Sequence, residues 1–403
     1  MSRGISTFAP ERLIQVLAAR RLSQVQLANM VGVSPATVSK WKAGQQAPTN
    51  EVLDRLANVV NLEAEWFTRP LSQACTKPLF RSNATAHVAA RNMLETRLAW
   101  AIEITEKLEE YVDYPLVNLP VRKFLNPEEI TAEDIEQAAS ECRDLWRLGR
   151  APVPDLALAV ESAGIILVRE ETGIPQIEGL SAWSGSHDRP FILLSADKDN
   201  GFRSRFDLAH ELGHLILHKH IPRATERDQY KLMEAQAHQF AGAFLLPLET
   251  FVNEIRTPVL LDSLLLDKQR WGVSVAAIIM RLVALGMIDE EEKIALFKRR
   301  SARWGAKSEP YDDSRAPEKP RLLKRTIEML VNEGVMTLDS IPRYIGLSAG
   351  DIEMLTSLPE GYFKGGATVL TLPTLRDRMS SRPESATERP GKVVEFHRNK
   401  QTT

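Results

Sequence analysis

The stretch Arg205-Phe-Asp-Leu-Ala-His-Glu-Leu-Gly-His-Leu-Ile-Leu-His218 decides how the middle of this chain is read. Phe206, Leu208, Ala209, Leu212, Leu215, Ile216 and Leu217 give it apolar sides, which predicts a buried helix. Side chains four residues apart on a helix share a face, so His210 and His214 can offer two imidazoles to one metal ion. Glu211 lies one position round. There a carboxylate can take a proton from a metal-bound water without itself being a ligand.

A catalytic zinc ordinarily keeps three protein ligands and one open position, so a third ligand is needed. Glu234 is the candidate. It begins the stretch Glu234-Ala-Gln-Ala-His-Gln-Phe-Ala-Gly-Ala-Phe-Leu-Leu-Pro247, predicted as a helix over 234–246 that stops at the proline. The competing reading of Glu234 is a surface carboxylate at a helix start, where the helix dipole favours it. His218, four residues beyond His214, and His238, one turn beyond Glu234, are read as hydrogen-bond partners of the ligands rather than as ligands. Two imidazoles and a carboxylate suit Zn2+, although manganese is not excluded by ligand type.

Both stretches resemble the ImmA/IrrE family of bacterial metallopeptidases, over roughly residues 150 to 310, including a trailing Arg303-Trp-Gly-Ala-Lys-Ser-Glu-Pro310. The resemblance implies His210, His214 and Glu234 as metal ligands and Glu211 as the general base. It also implies control of stress responses, mobile elements or similar operons by cleavage of a regulatory protein. One departure stands out: His238 occupies a position where relatives usually carry Asn.

Working outward toward the N-terminus, Leu22-Ser-Gln-Val-Gln-Leu-Ala-Asn-Met-Val-Gly-Val-Ser-Pro-Ala-Thr-Val-Ser-Lys-Trp-Lys-Ala-Gly44 has the spacing of two short helices and a tight turn. Ser23 and Ser34 are N-cap residues, Gly32 suits a left-handed turn and Pro35 suits a first helical position. Over residues 8 to 67 this pattern resembles the Cro/C1-type repressor family, the XRE type of helix-turn-helix regulator. The resemblance implies that the second helix enters the major groove of double-stranded operator DNA. It would bring Pro35, Ala36, Thr37 and Lys40 toward bases, with Gln24, Ser39 and Lys42 nearer phosphates or the groove wall and Ser34, at the helix start, also in the DNA-binding set. The local charge supports phosphate contact, with Arg12, Arg20, Arg21, Lys40, Lys42 and Arg55 set against Glu11, Glu51 and Asp54. One such unit binds weakly alone, so a homodimer on two half-sites is expected.

With 403 residues, 43% of them hydrophobic, the chain can bury two or three modest cores. Its formal net charge of -2 supplies no general attraction to nucleic acid. Cys75 and Cys142 are far apart and form no CxxC pair, which argues against a disulfide framework or thiolate metal site. No apolar run of about 18 residues and no signal-peptide pattern occur, so a soluble cytoplasmic protein with no membrane partner is expected.

The fold class read from these patterns is α+β, mostly α. Residues 8–68 form a helix-turn-helix domain, 69–150 a helical connector and 151–300 a small zincin-like metallopeptidase domain. A linker over 301–320, a helical C-terminal region over 321–376 and a disordered tail over 377–403 complete the map. Strands are predicted at Gly164 to Val168 and Pro190 to Leu194. The acidic residues Glu128, Glu129, Glu133, Asp134 and Glu136 read as a solvated helix face. Ser340 to Leu355 has a helix, a Gly-Leu-Ser turn and a helix, but Asp351 and Glu353 make its second helix acidic and favour a packing or interaction role over DNA binding.

The expected function is therefore a DNA-binding regulator with a zinc endopeptidase domain that cleaves a repressor or antitoxin-like partner. The alternative is a transcription factor whose peptidase-like domain senses a ligand or binds a partner without turnover. A general degradative peptidase fits least, because a DNA-binding module would serve no purpose in it.

Overall fold

Sequence-local signals build the N-terminal part. Helices α1 (Pro10–Ala19), α2 (Gln24–Val31), α3 (Pro35–Lys42) and α4 (Asn50–Val60) follow one another with short turns. Ser23 accepts from the amide of Gln26 while the Gln26 side chain accepts from the Ser23 amide, a reciprocal cap that starts α2. Gly32, at φ 75, ends it in a left-handed conformation that costs glycine nothing. Ser34 then caps α3 and Pro35 occupies its first turn. Leu13, Val16, Leu27, Ala28, Val38, Trp41 and Leu56 close a core between the helices.

A computed structural model describes residues 4–71, 88–173, 177–185, 187–222, 227–305 and 307–364. These lie within one compact unit, Met1–Gly366. The tail expected at 377–403 lies outside the described residues, as does Cys75. A long α5 (Val88–Leu108) packs against α1 and is followed by extended chain. That chain is tied down by Asn118 donating to the Ala163 carbonyl and Arg122 to that of Ile216. The expected connector is thus helical only in part, since Pro115 and Pro120 interrupt its helix pattern and the backbone finds partners elsewhere. Beyond it come α6 (Ala132–Leu145), α7 (Leu156–Ser162), β1 (Ile166–Glu170), β2 (Gly179–Trp183) and β3 (Pro190–Ser195). The acidic face near α6 is largely exposed, but Glu136 forms a two-pronged pair with Arg281.

The sheet has the order β1-β3-β2, with β3 parallel to β1 and antiparallel to β2. Alternation along the strands sends Ile166, Val168, Leu180, Ala182, Phe191 and Leu193 into the core shared with α5 and the N-terminal helices. Leu167, Trp183, Ile192 and Leu194 face the other way, into a second core. That core is built on α8 (Gly201–Leu217) and α9 (Arg227–Leu245), with α10 (Leu248–Glu254), α11 (Leu261–Trp271), α12 (Val275–Ala284) and α13 (Glu290–Trp304) around them. Two of the strands match the predicted runs; β2 was not predicted.

The segment 301–320 is not a free linker. Helix α13 continues through Trp304, and Glu309 is buried where its carboxylate accepts from the Val275 and Ala276 amides at the start of α12, from Arg300 and from the fully buried Lys268. A polar composition suggested solvent, but a carboxylate at a helix N-terminus with two cations beside it is satisfied inside.

Helices α14 (Leu322–Asn332), α15 (Ser340–Ile345) and α16 (Ala349–Thr356) return to the first core. Asp351 is buried and accepts from Arg20, just past the end of α1, at 2.7 and 2.5 Å and from Arg97 of α5 at 2.6 Å. Arg97 also pairs with Glu170 at the end of β1, 2.9 Å away. The acidic character of α16 is thus spent inward, with Glu353 accepting from the Gly361 and Phe363 amides.

Removing Asp351 leaves Arg97 buried with one partner fewer. Asp351→Ala should therefore lower unfolding stability by about 3–5 kcal/mol, the usual cost of breaking a buried ion pair on one side. A urea midpoint unchanged from that of the parent chain would contradict it.

Candidate metal centre and nucleic-acid face

Asn200 caps α8 by accepting from the Arg203 amide, and the helix then carries His210, Glu211 and His214 into the second core. Its close partner is α9. A Cβ at Gly213 would lie 3.1 Å from the Phe240 side chain, so the glycine between the two histidines lets the helices approach. Glu234 sits seven residues into α9, which begins at Arg227 rather than near Glu234. The helix-start reading of this carboxylate therefore does not hold, and the side chain instead faces the histidines.

The histidine Nε2 atoms lie 3.1 Å apart. Glu234 Oε2 is 3.5 Å from His210 Nε2, and Oε1 is 3.4 Å from His214 Nε2. One donor atom from each of the three residues falls within 4.8 Å of the other two. Glu234 Oε2 and His210 Nδ1 are buried without a hydrogen-bond partner among the described residues. Burial alone would raise the Glu234 pKa, but His210 and His214 outweigh it and hold the carboxyl far below its ordinary range. Burial likewise opposes charge on His214, yet Glu234 and Glu211 reverse that and raise its pKa. The pocket thus calls for positive charge at the point where three donors converge. Two imidazole nitrogens and one carboxylate oxygen so placed fit a divalent cation.

Glu211 lies beside these donors and accepts a 2.7 Å hydrogen bond from Ser181 Oγ of β2. Burial pushes its pKa up to about 7 against the opposing pull of His214 and Ser181. A carboxylate poised there can both take and return a proton at neutral pH. The strand reaches it because residue 179 is glycine: a Cβ would sit 3.2 Å from Glu211 Oε1. Ser181 and Gly179 were missed in the sequence because β2 carries only Leu180 and Trp183 as strand formers.

His218 and His238 both touch the candidate ligands. His218 Nδ1 is 2.9 Å from His214 Nδ1, and its Nε2 is 3.1 Å from Gln236 Oε1. Burial drives the His218 pKa down to about 3, and that of His210 to about 4, so both rings stay neutral. His238 Nδ1 donates to the Glu234 carbonyl at 2.7 Å, and its ring stands edge-on to His210 with centroids 4.4 Å apart. Gln236 was not singled out in the sequence.

On α3, Ser34, Pro35, Ala36, Ser39, Lys40 and Lys42 are exposed, while Thr37 and, on α2, Gln24 are half-buried. Val38 and Trp41 point into the core. The Ser34 hydroxyl is engaged with the Thr37 amide at 3.1 Å and hydroxyl at 2.8 Å, so both residues serve the helix cap. Two cations in the expected basic surplus are engaged internally. Arg12 is buried against Glu103 and the Pro70 carbonyl, and Arg20 is held by Asp351. Their guanidinium forks match buried carboxylates, which residue counting cannot reveal. Arg21, Lys40 and Lys42 are exposed.

Comparison with known families agrees with this division. Residues 13–67 match the helix-turn-helix family model, and residues 160–283 match that of the peptidase M78 family, the IrrE N-terminal-like domain.

The raised Glu211 pKa has a testable sign. In the metal-free fold Glu211 keeps its proton to about pH 7, while the unfolded chain loses it near the ordinary glutamate value of 4.5. Its stabilising contribution is complete below pH 4.5 and is lost as pH rises toward 7. Glu211→Gln removes that loss. In chelator-treated protein the variant should gain about 3 kcal/mol on the parent between pH 4.5 and 7 and keep that gain above it. A stability difference constant from pH 4 to 8 would show that the carboxyl titrates normally.

Proposed function

Because the chain carries an IrrE-type peptidase-family domain fused to a helix-turn-helix domain, we propose that it is a DNA-binding transcriptional regulator. Its zinc endopeptidase domain would cleave a protein partner, a repressor or antitoxin-like regulator. The observation that carries the reading is the convergence of His210, His214 and Glu234 beside a carboxyl group whose pKa is about 7. Zinc, when bound, supplies an acidified water and a Lewis acid for the scissile carbonyl. Glu211, held in place by the Ser181 hydroxyl, would serve as the group that accepts a proton from the attacking water and passes it to the leaving amine.

The sheet offers a place for the peptide. The Ser184 amide donates to Arg189 and the Ser195 amide to Glu178, so the hydrogen-bonded pairs of β2 with β3 fall on alternate residues, including Leu180 and Ala182. The backbone groups of Gly179 and Ser181 are directed away from β3, along the outer edge that passes Glu211. An extended substrate segment can pair there. Beside it a cavity of about 540 Å³, lined by Phe206, Ala235, His238, Ala277 and Met280 among others, leaves room for apolar side chains.

At the DNA end, α3 lies in the major groove of a two-half-site operator bound by a dimer. Lys40, exposed on α3, reads a base edge, and Lys42 is nearer phosphate. A cytoplasmic location follows from the DNA partner. Among the described residues, no helix is long and apolar enough to cross a membrane.

Glu211→Gln separates catalysis from binding. Co-expressed with a repressor that the parent cleaves, the variant should retain its metal and its operator affinity but lose cleavage by at least about a hundredfold, the scale of a general base. Cleavage persisting at the parent rate would remove Glu211 from the mechanism. If regulation in cells is also unchanged, a regulator that works without turnover replaces the peptidase reading. Lys40→Ala should weaken operator binding by about 1–3 kcal/mol and relax specificity at one position of a selected DNA fragment. An identical footprint and affinity would displace Lys40 from the groove.

A further inference from the structure

Resting on the reading that His214 is a metal ligand, we infer that the backbone carbonyl of Pro127, acting through Gln236 and His218, sets which nitrogen of His214 is presented to the metal. A carbonyl oxygen can only accept. Pro127 O lies 2.6 Å from Gln236 Nε2, so that end of the amide is the NH2 group and the other end is oxygen. The oxygen accepts from His218 Nε2 at 3.1 Å, which places the ring hydrogen of neutral His218 on that nitrogen. His218 Nδ1 then carries a lone pair. At 2.9 Å from it, His214 Nδ1 must carry a hydrogen, because two lone pairs would repel. What remains on His214 is a bare Nε2 aimed at Glu234 and His210.

All four groups are shielded from water: Pro127 is buried, and Gln236, His218 and His214 are 4, 3 and 5% exposed. Reversing any one donor sets oxygen against oxygen or hydrogen against hydrogen elsewhere, so the chain has one order. His210 differs, since its Nδ1 has no partner among the described residues. The relay therefore holds one imidazole of the pair in its ligand tautomer before metal arrives, and donation from Nδ1 makes the Nε2 lone pair more basic. Pro127 opens the short 3-10 turn Pro127–Glu129 ahead of α6. A piece of the expected connector thus acts on the metal centre through two positioning residues.

The test uses the full chain with 15N-labelled histidine, and zinc affinity measured by competition with a chelating indicator. In the parent, imidazole NMR should show His218 protonated at Nε2 and His214 at Nδ1. Gln236→Leu should release His218 to a tautomer mixture and, like His218→Leu, weaken zinc binding about 10–100-fold. His218→Gln should recover most of that loss, because its amide oxygen can accept from His214 while its NH2 donates to Gln236. A parent His218 protonated at Nδ1 would overturn the relay, even if the variants fold poorly. So would Leu variants that bind zinc as the parent does, or a His218→Gln chain no better than His218→Leu. A parent chain that binds no zinc, with the predicted tautomers intact, would instead refute the metal reading on which the relay's purpose rests.

Discussion

A carboxylate taken out of water must find positive charge or hydrogen-bond donors, and this constraint organises the described residues from the N-terminal helices to α16. Glu103 is met by Arg12 and the Trp66 indole, Glu170 and Asp351 by Arg97, Glu309 by Lys268 and Arg300. All of these pairings except Arg300 with Glu309 join segments distant in sequence. Glu234 departs from the pattern. Its partners are two histidines, of which burial keeps His210 neutral, and one of its oxygens lacks a hydrogen-bond donor among the described residues. The acids met by Arg or Lys are tied into the structure, whereas Glu234 keeps an unsatisfied oxygen beside His210 and His214, a donor set that fits a divalent cation.

The same principle joins the two functional parts. Asp351 bridges Arg20 of the helix-turn-helix region and Arg97 of α5, and Arg97 in turn holds Glu170 at the end of β1. The sheet that places Ser181 against Glu211 has its opposite face in the core shared with the DNA-binding helices. The strand edge beside the candidate centre and the helices that carry the DNA face therefore rest on one packed layer.

Local features were legible in the sequence. The two serine caps, Gly32 and Pro35 placed α2, the turn and α3. The histidine spacing placed two imidazoles on one face of α8, and the β-branched and apolar runs marked β1 and β3. Strand β2 was not legible, because its state comes from pairing with β3 and not from its own residues. The segment 301–320 misled for the opposite reason: polar residues suggested solvent, but Glu309 found two cations and two helix amides inside.

The sequence by itself determined what depends on a few consecutive residues: that His210 and His214 share a helix face with Glu211 beside it, and that a capped helix pair with a glycine turn stands near the N-terminus. Helix geometry is repeated at every turn and needs no distant partner to specify it. Only the tertiary structure decided that Glu234 faces the histidines from the third turn of its helix, that Ser181 holds Glu211, and that Arg12 and Arg20 turn away from the DNA face. Those assignments follow from which buried charge meets which donor across the fold, and that matching depends on the path of the whole chain.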